Sequence, residues 1–357
     1  MEEWKEYKLG EVINILDYKR IPLSSAERKT REGGFPYYGA QGIIDYIDDY
    51  IFDGTYLLIA EDGENLKSKK QDIAQLAHGK YWVNNHAHIV ESNGICDIRY
   101  LCYILNNIDL SGYITGSAQP KLNQANLSAI SIILPPLNLQ EQIADFISMF
   151  DNKIELNQRI NDNLEQQAQA LFNEMFPHIT EGENMIGDLI MPKRGKGLLS
   201  KNAIKGDIPV VAGGIEPATY HNQANTTAPV LTIAASGANA GYINLWHIPV
   251  WASDSSYIDD SITPNVYFWY IMLKKRQKEI FDAQVGSAQP HIYPKHIAEL
   301  PMNVVFVEKI AEYNEIVTPI FEKKGQLYLE SKRLTSLRDT LLPKLMSGEL
   351  KINDINN

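Results

Sequence analysis

"GSAQP" occupies Gly116–Pro120 and recurs, letter for letter, at Gly286–Pro290, 170 positions further on. One five-letter coincidence would carry little weight, so the flanks decide. They repeat as well. "KLGEVI" at Lys8–Ile13 corresponds to "MIGDLI" at Met185–Ile190, and "FPYYGAQGI" from Phe35 to "IPVVAGGIE" from Ile208. "YLLIAEDGEN" from Tyr56 matches "VLTIAASGAN" from Val230, and "EQIAD" at Glu141–Asp145 matches "EKIAE" at Glu308–Glu312. The order is preserved throughout. The chain is therefore a tandem duplication whose copies, about 170 residues each, are far longer than a solenoid repeat.

Each copy has the same internal plan, which predicts an α/β (α+β) two-repeat protein. Short apolar runs of strand length come first, "YLLIA" and "VLTIA" among them, separated by Gly, Asn and Asp turns. A helical stretch follows, "DIRYLCYILNNI", with Ile98, Leu101, Cys102, Leu105 and Ile108 on one face; its counterpart is "NVYFWYIMLKKRQKEIF". GSAQP, one more strand and a long helix complete the copy. Gly and Pro suit GSAQP to a tight turn, and Gln119 and Gln289 either cap that turn or touch a ligand.

Residues 140–176 contain neither Gly nor Pro. Ile143, Ile147, Phe150, Ile154, Leu164 and Leu171 fall on alternating four-and-three spacings, a coiled-coil seam. Asn157 and Asn161 interrupt it; they either fix register inside the seam or face water while Ile160 takes their place. The second long helix repeats apolar residues at Ile320, Leu327, Leu334 and Leu341, with Pro319 and Gly325 predicting a kink. Two equivalent globular units and two equivalent helices predict an antiparallel coiled coil with pseudo-twofold symmetry. The expected division is 1–138, a first globular domain; 139–178, a long helix; 179–306, a second domain; 307–348, a second helix; and 349–357, a tail. A helix of about 35 residues would hold two such units about 50 Å apart.

The formal net charge of −11 argues at first against a nucleic-acid partner. Its distribution reverses that reading. Residues 139–188 carry ten acidic groups against Lys153 and Arg159, a balance of −8, so the rest of the chain sums to only −3. Basic clusters stand outside that stretch: Arg20, Arg28, Lys29 and Arg31; "KSKK", with Lys67, Lys69 and Lys70, followed by Lys80; and "PKRGKGLLSK", with Lys193, Arg194, Lys196 and Lys201. These twelve side chains are candidates to neutralise DNA phosphates. Cys96 and Cys102 are expected in one helix as buried thiols of a reducing compartment, and no apolar run is long enough to span a bilayer. Both features predict a cytoplasmic protein.

Catalytic signatures are missing from the sequence. "LPPL" at Leu134–Leu137 lacks the amide and the aromatic residue with which adenine methyltransferases hold a flipped base, and there is no G-x-x-x-x-G-K-[ST] phosphate loop. His86 and His88 alternate as strand neighbours and have no further ligand at metal spacing. The Glu-x-Lys triplets at Glu3–Lys5 and Glu349–Lys351 are too short to define a nuclease. Hence no catalytic residue, no metal and no cofactor is assigned to this chain.

The series "WKEYKLGEVI", "PYYGAQGIIDYI", "NNHAHIV", "GSAQPKLN", "LPPLNLQEQIA" and "DNKIELNQRINDNLEQQAQALFNEMF" resembles the specificity subunit of type I restriction–modification systems. The second copy resembles it more loosely, with "SDSSYI" where the first has "NNHAHIV". The resemblance implies two target-recognition domains, each reading one part of an asymmetric bipartite site on double-stranded DNA. It also implies that the paired helices dock two methyltransferase subunits. S-adenosylmethionine and ATP are then expected on partner subunits, the ATP on a restriction motor. The competing readings are a standalone nuclease or methyltransferase with degenerate motifs and a coiled-coil protein scaffold.

Overall fold

The computed structural model describes residues 4–116, 119–286 and 289–355. The chain divides into two compact units: Met1–Asn152 with Leu334–Asn357, and Lys153–Arg333. A long helix, Leu137–Met175, begins in the first unit and ends in the second; another, Val307–Met346, runs from the second unit back to the first.

The two units repeat each other sheet for sheet, the second sheet having four strands in the first unit and three in the second. In the first, one antiparallel sheet has the order Ile13–Ile15, Ala87–Ser92, Tyr56–Ala60, Ala74–Ala77. In the second, the order is Lys193–Arg194, Ser255–Ile258, Val230–Ala234, Ile243–Trp246. The central strands are the matched "YLLIA" and "VLTIA", all but Tyr56 buried, as a strand covered on both faces requires. A second sheet contains one parallel pairing in each unit: Tyr37 opposite Trp82, and Val210 opposite Trp251. A third, two-stranded sheet joins Lys5–Lys8 to Ser131–Leu134 and, in the second unit, Asn184–Met185 to Pro301–Met302. The duplication seen in the letters is thus a duplication of topology.

Beside each first sheet lies a helix, Ile98–Asn107 in one unit and Val266–Lys275 in the other. Asp97 caps the former by accepting the N–H groups of Arg99 and Tyr100 at 2.8 and 3.0 Å. Cys96 therefore precedes this helix instead of lying within it, and donates to the Val12 carbonyl at 3.3 Å. Burial raises both thiols, that of Cys102 to about 12, so they are inert structural groups. Among the described residues no helix is long and apolar enough to cross a membrane.

The long helices pack together within each unit. In the first, Ile143, Ala144 and Ile147 share a core with Leu342 and Leu345, and Arg338 pairs with Asp151 at 2.7 Å. In the second, Ala168 and Phe172 share a core with Ile310, Tyr313, Val317 and Phe321. Rising numbers on one helix meet falling numbers on the other, so the pairing is antiparallel. The apolar stripe is wider than a two-helix seam because each helix also faces its sheet unit. Accordingly Phe321, Leu342 and Leu345 are fully buried, Leu327 is buried, and Phe150, Ile154, Leu164, Leu171, Ile320, Leu334 and Leu341 are half-buried. The second helix passes unbroken through Pro319 and Gly325. A Cβ at Gly325 would stand 2.8 Å from the His247 ring, which explains a glycine in mid-helix.

Asn157 lies inside the seam, fully buried; its amide donates to Glu330 at 2.9 Å and Ser331 at 3.2 Å. Its Oδ1 is buried without a partner. An unmade hydrogen bond costs about 1–3 kcal/mol, whereas Glu330 keeps Lys153 at 3.5 Å if the asparagine goes. Asn157→Leu should therefore stabilise the second unit by about 1 kcal/mol and raise its melting midpoint by about 3 °C. A lowered midpoint in calorimetry would mean that the two donated bonds outweigh the orphaned oxygen.

Candidate nucleic-acid interface

The residues flanking the repeated pentapeptide are joined in the same way in both units. In the first unit Thr115 and Lys121 exchange two backbone hydrogen bonds of 2.8 Å across it. In the second, Val285 and His291 do so at 3.0 and 2.8 Å. Gly116 and Gly286 have φ of +81° and +97°, and a Cβ on either would come within 2.2 or 2.6 Å of the carbonyl oxygen of Gln119 or Gln289. Only glycine fits there. The turn is tied to the end of the central strand: the N–H of Gly63 donates to Pro120 at 3.1 Å, and that of Gly237 to Pro290 at 3.0 Å. Gln119 and Gln289 have exposed side chains, whereas Ser117, Ala118, Ser287 and Ala288 lie outside the described residues.

Beneath the first turn is a charged network that the sequence did not show. Asp17, Glu61 and His88 approach closely enough to ligate a cation, but Arg20 supplies the positive charge instead. Its guanidinium is 2.8 Å from Glu61 and 3.2 Å from Asp17, and it also donates to the Ala87 carbonyl at 2.9 Å. His88 is fully engaged, with Nδ1 2.6 Å from Asp17 and Nε2 2.7 Å from the Leu122 carbonyl. Burial alone would raise the Asp17 carboxyl, but His88, the Ile89 N–H and Arg20 outweigh it and leave the group below its ordinary 3.8. At Glu61 burial is likewise outweighed, by Arg20, His88 and Lys121, so that carboxyl is lowered as well. The members come from separate segments of the chain, so no local spacing announces them. The one sequence signal is a histidine alternating within an apolar strand.

The basic side chains singled out by composition have different settings. Arg20 is drawn inside. Arg28, Arg31 and Lys80 border the second sheet on carboxylate or aromatic partners: Arg28 bonds Asp45 at 2.9 Å, and Arg31 bonds Asp48 at 2.9 Å. Arg31 also lies over Trp82 at 4.9 Å, and Lys80 over Tyr50 at 4.5 Å. Lys67 donates to the carbonyl of Gly116 at 3.1 Å and so touches the pentapeptide turn, while Lys69 donates to Ile108 at 2.7 Å. Lys29 and Lys70 have exposed side chains. In the second unit Arg194 pairs with Asp254 at 2.5 Å and Lys193 donates to Ser261 at 3.2 Å; Lys196 and Lys201 have exposed side chains. A Cβ on Gly195 would strike the Ala252 carbonyl at 2.4 Å, so that glycine serves close packing within the unit, whereas Gly197 faces open space.

The chain is a duplicated α/β unit with two long packed helices. The fold is that of a solved type I restriction–modification S subunit from M. genitalium, with a TM-score of 0.63, 20% identity and 96% of each chain covered. The family of type I restriction modification DNA specificity domains matches residues 1–166. A Haemophilus influenzae chain assigned as a type I restriction enzyme specificity subunit is 34% identical over 220 residues, 58% of this chain; the match spans only 55% of that relative. The MjaIX specificity subunit of Methanocaldococcus jannaschii is 23% identical across 99% of this chain and 98% of its own. The chain is thus similar to type I restriction–modification specificity subunits, through a family model over residues 1–166 and through relatives aligned along part or all of its length.

Proposed function

We propose that this chain selects DNA for a type I methyltransferase, with each unit recognising one part of a bipartite double-stranded target. The observation that carries the reading is one turn, GSAQP, held in one backbone frame in both units while the side chains around it differ. A fixed frame suits contacts common to all duplexes, and changed side chains suit contacts to different bases. Lys29, Lys70, Lys196 and Lys201 are the proposed phosphate contacts with the most open setting, and Arg28, Arg31 and Lys80 are further candidates in the first unit. S-adenosylmethionine and ATP belong to partner subunits in this reading.

The long helices are the proposed docking surface for two methyltransferase subunits. Aligning "EQIAD" with "EKIAE" makes Met149 the equivalent of Ile316, and both are exposed, by 59% and 46%. Each helix thus shows an apolar side chain at the same position, as two copies of one partner would require.

Exchanging Phe35–Tyr113 for the matching segment of a relative with another specificity tests the reading. Mapping of methylated bases in cells carrying the exchanged chain should show one half of the target altered, with the other half and the spacer retained. Alteration of both halves together would refute independent reading, and a chain that scaffolds proteins would leave methylation without sequence preference.

A further inference from the structure

The two units also indicate which side chains read bases, an inference that rests on the DNA-selecting function just proposed. Three positions meet beside the GSAQP turn. One directly precedes the glycine that holds the turn: Asp62 in the first unit, Ser236 in the second. Another directly follows the pentapeptide: Lys121, or His291. Backbone bridges join these, Asp62 to Lys121 and Ser236 to His291. The third enters from the neighbouring strand. Ala60 lies opposite Ala87 and Ala234 opposite Ser255, so the residues just before are His86 and Asp254.

At this corner the geometry is kept and the chemistry is changed. His86 Nδ1 is 2.7 Å from Asp62 Oδ2, and at the equivalent place the Ser236 hydroxyl bonds Asp254. A side-chain pair therefore bridges the same two segments in both units. In the first unit it offers an imidazole and a carboxylate, and the backbone-bridged Lys121 turns its ammonium to Glu61 at 3.2 Å. In the second it offers a hydroxyl and a carboxylate, the latter held by Arg194 at 2.5 Å, beside the His291 ring. The first corner opens into a groove of about 390 Å³ that Gln41 and Asn84 also line. His86 is exposed in that groove and Lys121 is exposed outside it, and Asp254 and His291 are half-exposed in the second unit.

We infer that Asp62, His86 and Lys121 in the first unit, and Ser236, Asp254 and His291 in the second, are the base-reading side chains, applied to base edges in the major groove. Groove readout works through donors and acceptors set at fixed positions, and each good pairing changes discrimination between bases by about 5- to 150-fold. Backbone hydrogen bonds that close the segment in the same way in both units, while the three neighbouring side chains differ, supply that arrangement. Arg194 acts in the second corner as a positioning residue, holding the Asp254 carboxylate.

The test gives the first unit the second unit's chemistry, D62S/H86D/K121H, in the full chain co-expressed with its methyltransferase subunit. Selection from a pool of random duplexes and mapping of methylated bases then report the target. The expected result is a base preference changed by tenfold or more at one or two positions within one half of the target, with the other half intact. The single variants His86→Asn and Lys121→Gln, at exposed positions, guard against misfolding and should each relax the same half. Equal weakening toward every sequence, with the target unchanged, would overturn the assignment while leaving DNA selection standing. So would single variants that keep the full preference. Absence of sequence preference in the unaltered complex would instead overturn the DNA-selecting function itself.

Discussion

Ile147→Asp should unfold the first unit while the second keeps its structure. Ile147 is 0% exposed and packs in one core with Ile143, Ala144, Leu342 and Leu345 of the long helices and with Tyr100, Leu101 and Ile104 of the sheet-facing helix. Removing the aliphatic side chain forfeits about 1.5–3 kcal/mol of burial. The new carboxylate adds several kcal/mol because it finds no cation in that core. The sum is comparable with the whole stability of a domain, about 5–15 kcal/mol. Amide hydrogen exchange resolves the two units: Ile98–Asn107 should lose its protection and Val266–Lys275 should keep it. Ile147→Val, which costs only about 1 kcal/mol, should leave both protected. Retained protection of Ile98–Asn107 in the aspartate variant would show that Ile147 serves the helix pair alone.

That last alternative is the one the sequence suggests, and the difference shows what periodicity can report. Four-and-three spacing records that a helix buries a stripe, not how many partners cover it. Hence Ile147 is legible as apolar, but its double contact, with the other long helix and with the sheet unit, is not. For the same reason the fully buried residue near Ile320 is its neighbour Phe321, which stacks on Tyr267 at 4.6 Å. Asn157 could be placed inside the seam only once Glu330 and Ser331, 173 and 174 positions away, were seen to receive its amide.

The duplication was legible because it is written in letters: identical turns, matched apolar runs and a constant order. GSAQP survives in both copies for a local reason. Gly116 and Gly286 have positive φ, and a Cβ on either would strike the carbonyl oxygen of Gln119 or Gln289, so other residues are excluded at that point. Charge was less legible. Lysine and arginine clusters mark surface segments, but a guanidinium within reach of two carboxylates is pulled toward them whatever its neighbours in the chain. Arg20 and Lys29 look alike in a list of basic residues. Folding places one between Asp17 and Glu61 and leaves the other exposed.

That contrast gives the second large expected effect. Arg20→Ala leaves the Glu61 carboxylate without its main countercharge and the Asp17 carboxylate with the buried His88 ring as its remaining basic partner. Breaking a buried pair from one side costs about 3–5 kcal/mol, and the partly screened Arg20 puts this case near 3. The pH dependence has a definite sign. Both carboxyls are held below their ordinary 3.8 and 4.5, so the stability they contribute is present above those values and is lost as pH falls through the lowered ones. Without Arg20, burial acts with less opposition and raises both groups, so acid unfolding of the first unit should begin at a higher pH than in the unaltered chain. Lys29→Ala and Lys70→Ala should leave that acid limb alone and instead flatten the salt dependence of DNA binding by the assembled complex. Were Arg20→Ala to unfold at the same pH as the unaltered chain and weaken DNA binding uniformly, its guanidinium would have to leave the network for a phosphate, and the buried cluster would not be what holds this corner of the fold.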